Sequence, residues 1–224
     1  MCGRFTLTAS PEQLQEAFPD FAVPGQMSAR YNIAPTQPIA VVPNTGENRI
    51  DFFVWGLIPS WAKDPSIGNR LINARGETLG EKPSFRSAYR RRRCLVLSDG
   101  FFEWVAVPGE KAKQPHYITL EGGRPFAFAG LWEQWFSPDG SEIKSATIIT
   151  TEPNSLVAKL HNRMPVILHP DDYARWIDPA ERDPEGLQDL LAPYPASEMR
   201  HHPIARTVNS PANDLPEIIQ PSSS

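Results

Sequence analysis

Twenty-four of the 224 residues are proline, about twice the usual share. Proline fixes φ and has no backbone N–H, so it breaks helix interiors and central strands. Scattered along a chain, it excludes long helices and predicts a turn-rich fold of short elements. The chain can still bury a sizeable core. At this length roughly 70 % of the unfolded surface leaves water on folding, and neither a disulfide framework nor a metal is needed for stability. Residues 1–220 are expected to form one domain and 221–224 a disordered tail.

The local patterns agree with short elements. Ser10, Pro11 and Gln13 read as a helix start with a capping box, Leu14, Ala17 and Phe18 as its buried stripe, and Pro19 as its stop. Residues 39–42 and 50–55 read as a hairpin around Pro43-Asn44-Thr45-Gly46. Further strands are expected at 94–98, 101–105, 116–120, 125–131 and 146–150, and helices after Pro153, Pro170 and Pro184. Such mixing predicts an α+β fold with a largely antiparallel, barrel-like β core and flanking short helices rather than a parallel βαβ design.

Several functional classes lose their signature. The formal charge of −4 argues against tight non-specific attraction to nucleic acid or anionic membrane, so any nucleic-acid role must come from a local patch. Two cysteines suit a reducing compartment. With no apolar run of about 18 residues and no signal-like start, the expected location is cytoplasmic. No phosphate-binding glycine loop, G-x-G-x-x-G, H-E-x-x-H or G-x-S-x-G is present. Neither cysteines nor histidines have metal-ligand spacing, so no metal and no cofactor is expected.

The most reactive group is at the start. Initiator methionine is excised before small residues, which would leave Cys2 as the first residue, with an amine and a thiol on adjacent carbons. An α-amine with pKa of roughly 7.7–8.0 is partly neutral at pH 7. It can form a Schiff base with an aldehyde, after which the thiol closes a five-membered thiazolidine intramolecularly. Cys94, in an apolar run, reads as an inert core thiol.

Beyond Met1-Cys2-Gly3-Arg4-Phe5, ordered blocks follow at Tyr31–Thr36, Trp55–Trp61, Asn73–Thr78, Asp99–Trp104 and His161–Pro165. Together they resemble the SRAP (SOS response-associated peptidase) family over nearly the whole chain. The resemblance implies single-stranded DNA binding and a covalent crosslink between Cys2 and the ring-opened aldehyde of an abasic site, shielding the lesion in the DNA damage response. It also implies peptidase-like removal of Met1 and release of the crosslink.

By that resemblance Glu103 is the catalytic carboxylate, and its aromatic neighbours should raise its pKa toward general acid–base use. His161 is a proton shuttle, and Asn73 orients the amine or the sugar. Arg4 and Arg75 are the best phosphate contacts, with Lys82, Thr150 and Arg163 weaker ones. Pro35 and Trp61 could stack on or wedge between unpaired bases. Arg90–Arg93 leads into a strand whose side chains alternate, so the four cannot share one groove, and a solvated or internally paired stretch is favoured. Nothing in the sequence requires more than a monomer. Two other readings remain open: an N-terminal-nucleophile glutamine amidotransferase, which also begins Met-Cys-Gly, and a non-covalent reader of modified or single-stranded DNA.

Overall fold

The computed structural model describes residues 2–183 and 185–222. In chain order the elements are β1 (Phe5–Leu7), α1 (Pro11–Ala17), β2 (Arg30–Ile33), β3 (Pro38–Pro43), β4 (Asp51–Trp55), β5 (Asn73–Arg75) and α2 (Arg86–Arg91). Then come β6 (Arg93–Ser98), β7 (Gly100–Val105), β8 (Gln114–Leu120), β9 (Phe126–Phe136), β10 (Glu142–Thr151), β11 (Met164–Pro165), β12 (Ile167–Leu168), α3 (Tyr173–Trp176) and β13 (Met199–Pro203). Short 3-10 turns fill much of the remainder. The fold is α+β.

β10, β4, β3, β6 and β9 pair in that order, and β9 returns to β10, which closes a five-stranded barrel. All its pairings are antiparallel except β10 with β4. β5 runs parallel beside the last residues of β10, bringing Asn73–Arg75 against Ile148–Thr150. Closure forces close packing. Cys94 on β6 sits opposite Gly130 on β9, and a Cβ on Gly130 would lie 2.9 Å from the Cys94 sulfur. At the exit of β4, Gly56 adopts φ 126°, and a Cβ there would meet the Gly68 carbonyl at 2.6 Å, so only glycine fits.

The second sheet has the order β13-β8-β7-β1-β2. Phe5 and Phe101 on its inner face pack edge-on against Phe128 of the barrel, and Phe5 also meets Trp55. Its outer face carries Phe102 and Tyr117 beneath Ile204, Val208 and Ile218 of the C-terminal segment.

The hairpin and the capped first helix form as read, the latter with both hydrogen bonds of its capping box. The expected helix after Pro153 does not. Asn154 Oδ1 accepts from the Leu156 and Val157 N–H groups, only a 3-10 turn follows at Val157–Lys159, and Met164–Pro165 then pairs with β10. After Pro170 the helix is a 3-10 turn plus the four residues of α3. The segment Glu185–Leu191 is 3-10, and Pro184 lies outside the described residues. The expected disordered tail is tied down where described: Pro221 bridges to Ile204 and the Ser222 N–H bonds the Pro203 carbonyl at 2.9 Å, while 223–224 lie outside the described residues.

Candidate active site

Pairing of β1 with β7 places Phe5 opposite Phe101, and the Phe102 N–H reaches the Arg4 carbonyl at 3.1 Å. This brings the chain's first residues alongside Glu103. Side chains alternate along a strand, so Glu103 shares the barrel-facing side with Phe101 and is 2 % exposed. Burial raises its carboxyl above the ordinary carboxylate range, while His161 and Lys113 pull it back. Cys2 is 0 % exposed. Burial, reinforced by the Glu103 charge, pushes its thiol far above the usual cysteine range.

The other two expected catalytic residues arrive from distant segments. Asn73, on the strand added to the barrel, donates from Nδ2 to the Cys2 carbonyl at 2.8 Å. Its Oδ1 is buried without a partner among the described residues. His161 follows the 3-10 turn, its N–H bonded to the Val157 carbonyl at 2.8 Å. Its Nδ1 lies 3.0 Å from the Arg163 N–H and 3.2 Å from the Arg163 carbonyl, which fixes the ring's orientation. Cys2, Asn73, Glu103 and His161 therefore converge on one point.

The residues expected to touch DNA divide into two sets. Trp61 is 58 % exposed, which excludes core packing. Arg75 and Lys82 are exposed as well. Pro35 is half-buried, beside Thr36, a β-branched residue at φ 71° whose N–H is held by the Trp55 carbonyl at 2.9 Å.

The second set is occupied internally. Thr150 is 0 % exposed, on the barrel, with its hydroxyl directed at the Ala74 carbonyl at 3.4 Å. Arg163 forms a fork to both Glu77 oxygens and donates to the Thr150 carbonyl at 2.7 Å, making it an anchor between β10 and the segment after β5. Arg4 donates to Asn32 Oδ1 and to the Val208 and Asn209 carbonyls at 2.8–3.1 Å, which fastens the N-terminal strand to the C-terminal segment. Asn32 completes that clamp with bonds to the Val208, Ser210 and Asn213 carbonyls. Nothing local in the sequence marks it, since a buried, fully bonded asparagine reads like any turn asparagine.

The arginine run divides at the end of α2. Arg90 and Arg91 are exposed, whereas Arg92 pairs with the buried Glu133. Arg93 is 0 % exposed and donates to the carbonyls of Trp176, Tyr89, Arg90, Asp178 and Glu181. Cys94 is buried, with its thiol raised by burial. Among the described residues no group of three or more His, Cys, Asp or Glu side chains could hold a metal, and no helix is long and apolar enough to cross a membrane.

A closed barrel with a second sheet thus buries Cys2 beside a carboxylate, an imidazole and an amide. Residues 1–211 match the family model described as SOS response associated peptidase (SRAP), and the chain belongs to that family. It is 45 % identical to the abasic site processing protein YoqW of Bacillus subtilis (strain 168), over 98 % of this chain and 99 % of that one. Identity is 29 % to the abasic site processing protein HMCES of Xenopus tropicalis, over 97 % of this chain and 77 % of that protein. Among solved structures, a protein from Bacteroides thetaiotaomicron superposes with a TM-score of 0.87 at 27 % identity, covering 99 % of this chain and 100 % of that one.

Proposed function

We propose that this protein processes abasic sites in single-stranded DNA by crosslinking to them through Cys2. The convergence of Asn73, Glu103 and His161 on a cysteine at the second position of the chain carries this reading, and the names of its relatives support it.

Removal of Met1 by peptide hydrolysis frees the Cys2 amine. The amine nitrogen attacks C1′ of the ring-opened deoxyribose, giving a carbinolamine whose hydroxyl leaves as water once protonated. Glu103, buried and with a raised pKa, supplies that proton. The product is a Schiff base. The Cys2 thiol is strongly protonated in its buried setting, so it follows rather than leads. The Glu103 carboxylate takes its proton, sulfur adds to the same C1′, and the electron pair of the C=N bond returns to nitrogen, closing the thiazolidine. His161, its ring held through Nδ1 by the Arg163 backbone, assists opening of the sugar ring. Asn73 fixes the cysteine backbone so that both nucleophiles face one carbon.

Arg75, Lys82 and Trp61 hold the strand, the cations on phosphates and the indole on an unpaired base. The deciding experiment is a denaturing gel of purified protein incubated with single-stranded DNA carrying one abasic site. A heat- and SDS-stable shifted band supports the reading; salt-sensitive binding without such a band replaces it with a non-covalent reader.

A further inference from the structure

Over most of the surface the arginines are neutralised, as in Arg30 with Asp214, Arg124 with Glu198 and Arg200 with Glu121. The outward face of α2 is different. Among the described residues the guanidinium groups of Arg86, Arg90 and Arg91 make no ion pair and no hydrogen bond, and all three are exposed. In a chain of net charge −4 such a cluster is a localised positive field, held open on a rigid element.

The clefts around α2 join end to end. One is lined by Trp61, Pro83, Ser84, Arg86 and Ser87, and the next by Gly80, Arg86, Ser87, Arg90 and Arg91. Arg86 and Arg90 stand four positions apart and so share one side of the helix, with Ser87 and Arg91 forming a parallel row. Gly80, in the second cleft, follows Asn73 by seven residues in the chain. The one carboxylate on this track, Glu133 at the Trp61 end, is engaged by Arg92. Past Arg91 the lining adds Arg182 and Asp183, one cation and one carboxylate.

We propose that this groove holds the phosphate backbone of single-stranded DNA flanking the abasic site, with Trp61 stacking a base at one end. The proposal rests on the crosslinking reading above and extends it: the footprint is a strand several nucleotides longer than the reacting nucleotide, gripped by side chains outside the catalytic cluster. Ordered arginines beside an exposed aromatic fit a flexible strand, whose backbone and base faces are both accessible.

The test is fluorescence anisotropy with unmodified oligonucleotides of about 4 and about 16 nucleotides, the two ends of the usual range of single-strand site sizes. The wild type should bind the longer one about tenfold more tightly, with a salt slope steeper by about 2, the value for three phosphate contacts at about 0.7 each. Arg86→Gln/Arg90→Gln/Arg91→Gln should lose both differences at unchanged Tm, and the triple lysine variant should keep most of them. Crosslinking of a short abasic oligonucleotide should be equal in all three proteins. A glutamine variant that retains the length gain, or a wild type that lacks it, overturns the proposal. Equal competition by polyglutamate would also overturn it, in favour of an acidic protein partner. Absence of a crosslinked band in every protein would remove the crosslinking reading while the length and salt readouts still decide the groove.

Discussion

The side-chain amide of Asn73 donates to the Cys2 carbonyl at 2.8 Å across a separation of 71 residues. It ties Cys2 to β5, the strand that pairs with β10 on the edge of the barrel. A neutral hydrogen bond of this kind contributes about 1 kcal/mol. Asn73→Ala should therefore slow single-turnover crosslinking about fivefold or more, with single-strand affinity little changed. An equal loss in affinity and rate would make Asn73 a DNA contact instead.

Cys2→Ala removes both the thiol and the ring closure it allows. This variant should give no heat-stable adduct, although borohydride should still trap a Schiff base from its free amine, and its Kd for single-stranded DNA should be close to the wild-type value. Intact mass should show Met1 absent in the reactive wild-type protein. A stable adduct formed by Cys2→Ala, or by protein that retains Met1, would exclude the thiazolidine.

Glu103 should set the acidic limb of the reaction. Burial disfavours its charged form, so the carboxylate needed to deprotonate the thiol is lost as pH falls through a value above the ordinary carboxylate range. The pH–rate profile should show that displaced limb, and Glu103→Gln should be slow and flat across it. For folding the sign is opposite to that of a salt-bridged carboxylate. A raised folded pKa means that the group contributes stability when protonated and loses it as pH rises through that pKa. Glu103→Gln should thus match or exceed the wild-type Tm at neutral pH, a comparison that separates a catalytic defect from an unfolding one.

Arg163 separates anchoring from DNA contact. Its fork to Glu77 and its bond to the Thr150 carbonyl join two segments beside the site. Arg163→Ala should lose about 1–2 kcal/mol of stability, a fall of roughly 2–8 °C in Tm for a chain of this length. Scanning calorimetry at matched pH would show it. A change in the salt slope of DNA binding with no change in Tm would return Arg163 to the phosphate contacts.

Trp61 presents the converse case. With 58 % of its surface exposed, its loss should leave Tm unaltered. Trp61→Ala should weaken single-strand binding by about 1–3 kcal/mol, the range for stacking one base, and the wild-type indole fluorescence should be quenched on binding.

Proline frequency limited this chain to short elements, and local spacing was enough for the capped helix at Pro11–Ala17 and the β3–β4 hairpin, because both are closed by contacts within a few residues. The chemistry available to Cys2 was likewise legible, since it follows from where the residue stands in the chain. The tertiary structure decided the rest. Whether Glu103 is a surface glutamate or a buried acid depends on β1 lying beside β7, a pairing across about a hundred positions that no local pattern encodes. The same holds for the direction of neighbouring arginines: Arg90 and Arg93 have equal propensities, but the end of α2 leaves one in water and turns the other onto five carbonyls. Burial and hydrogen-bond partners belong to the packed surroundings rather than to the residue. Sequence could therefore name Cys2 and the chemistry open to its amine and thiol, whereas only the closed barrel and its companion sheet could set the carboxylate, the amide and the cations around it.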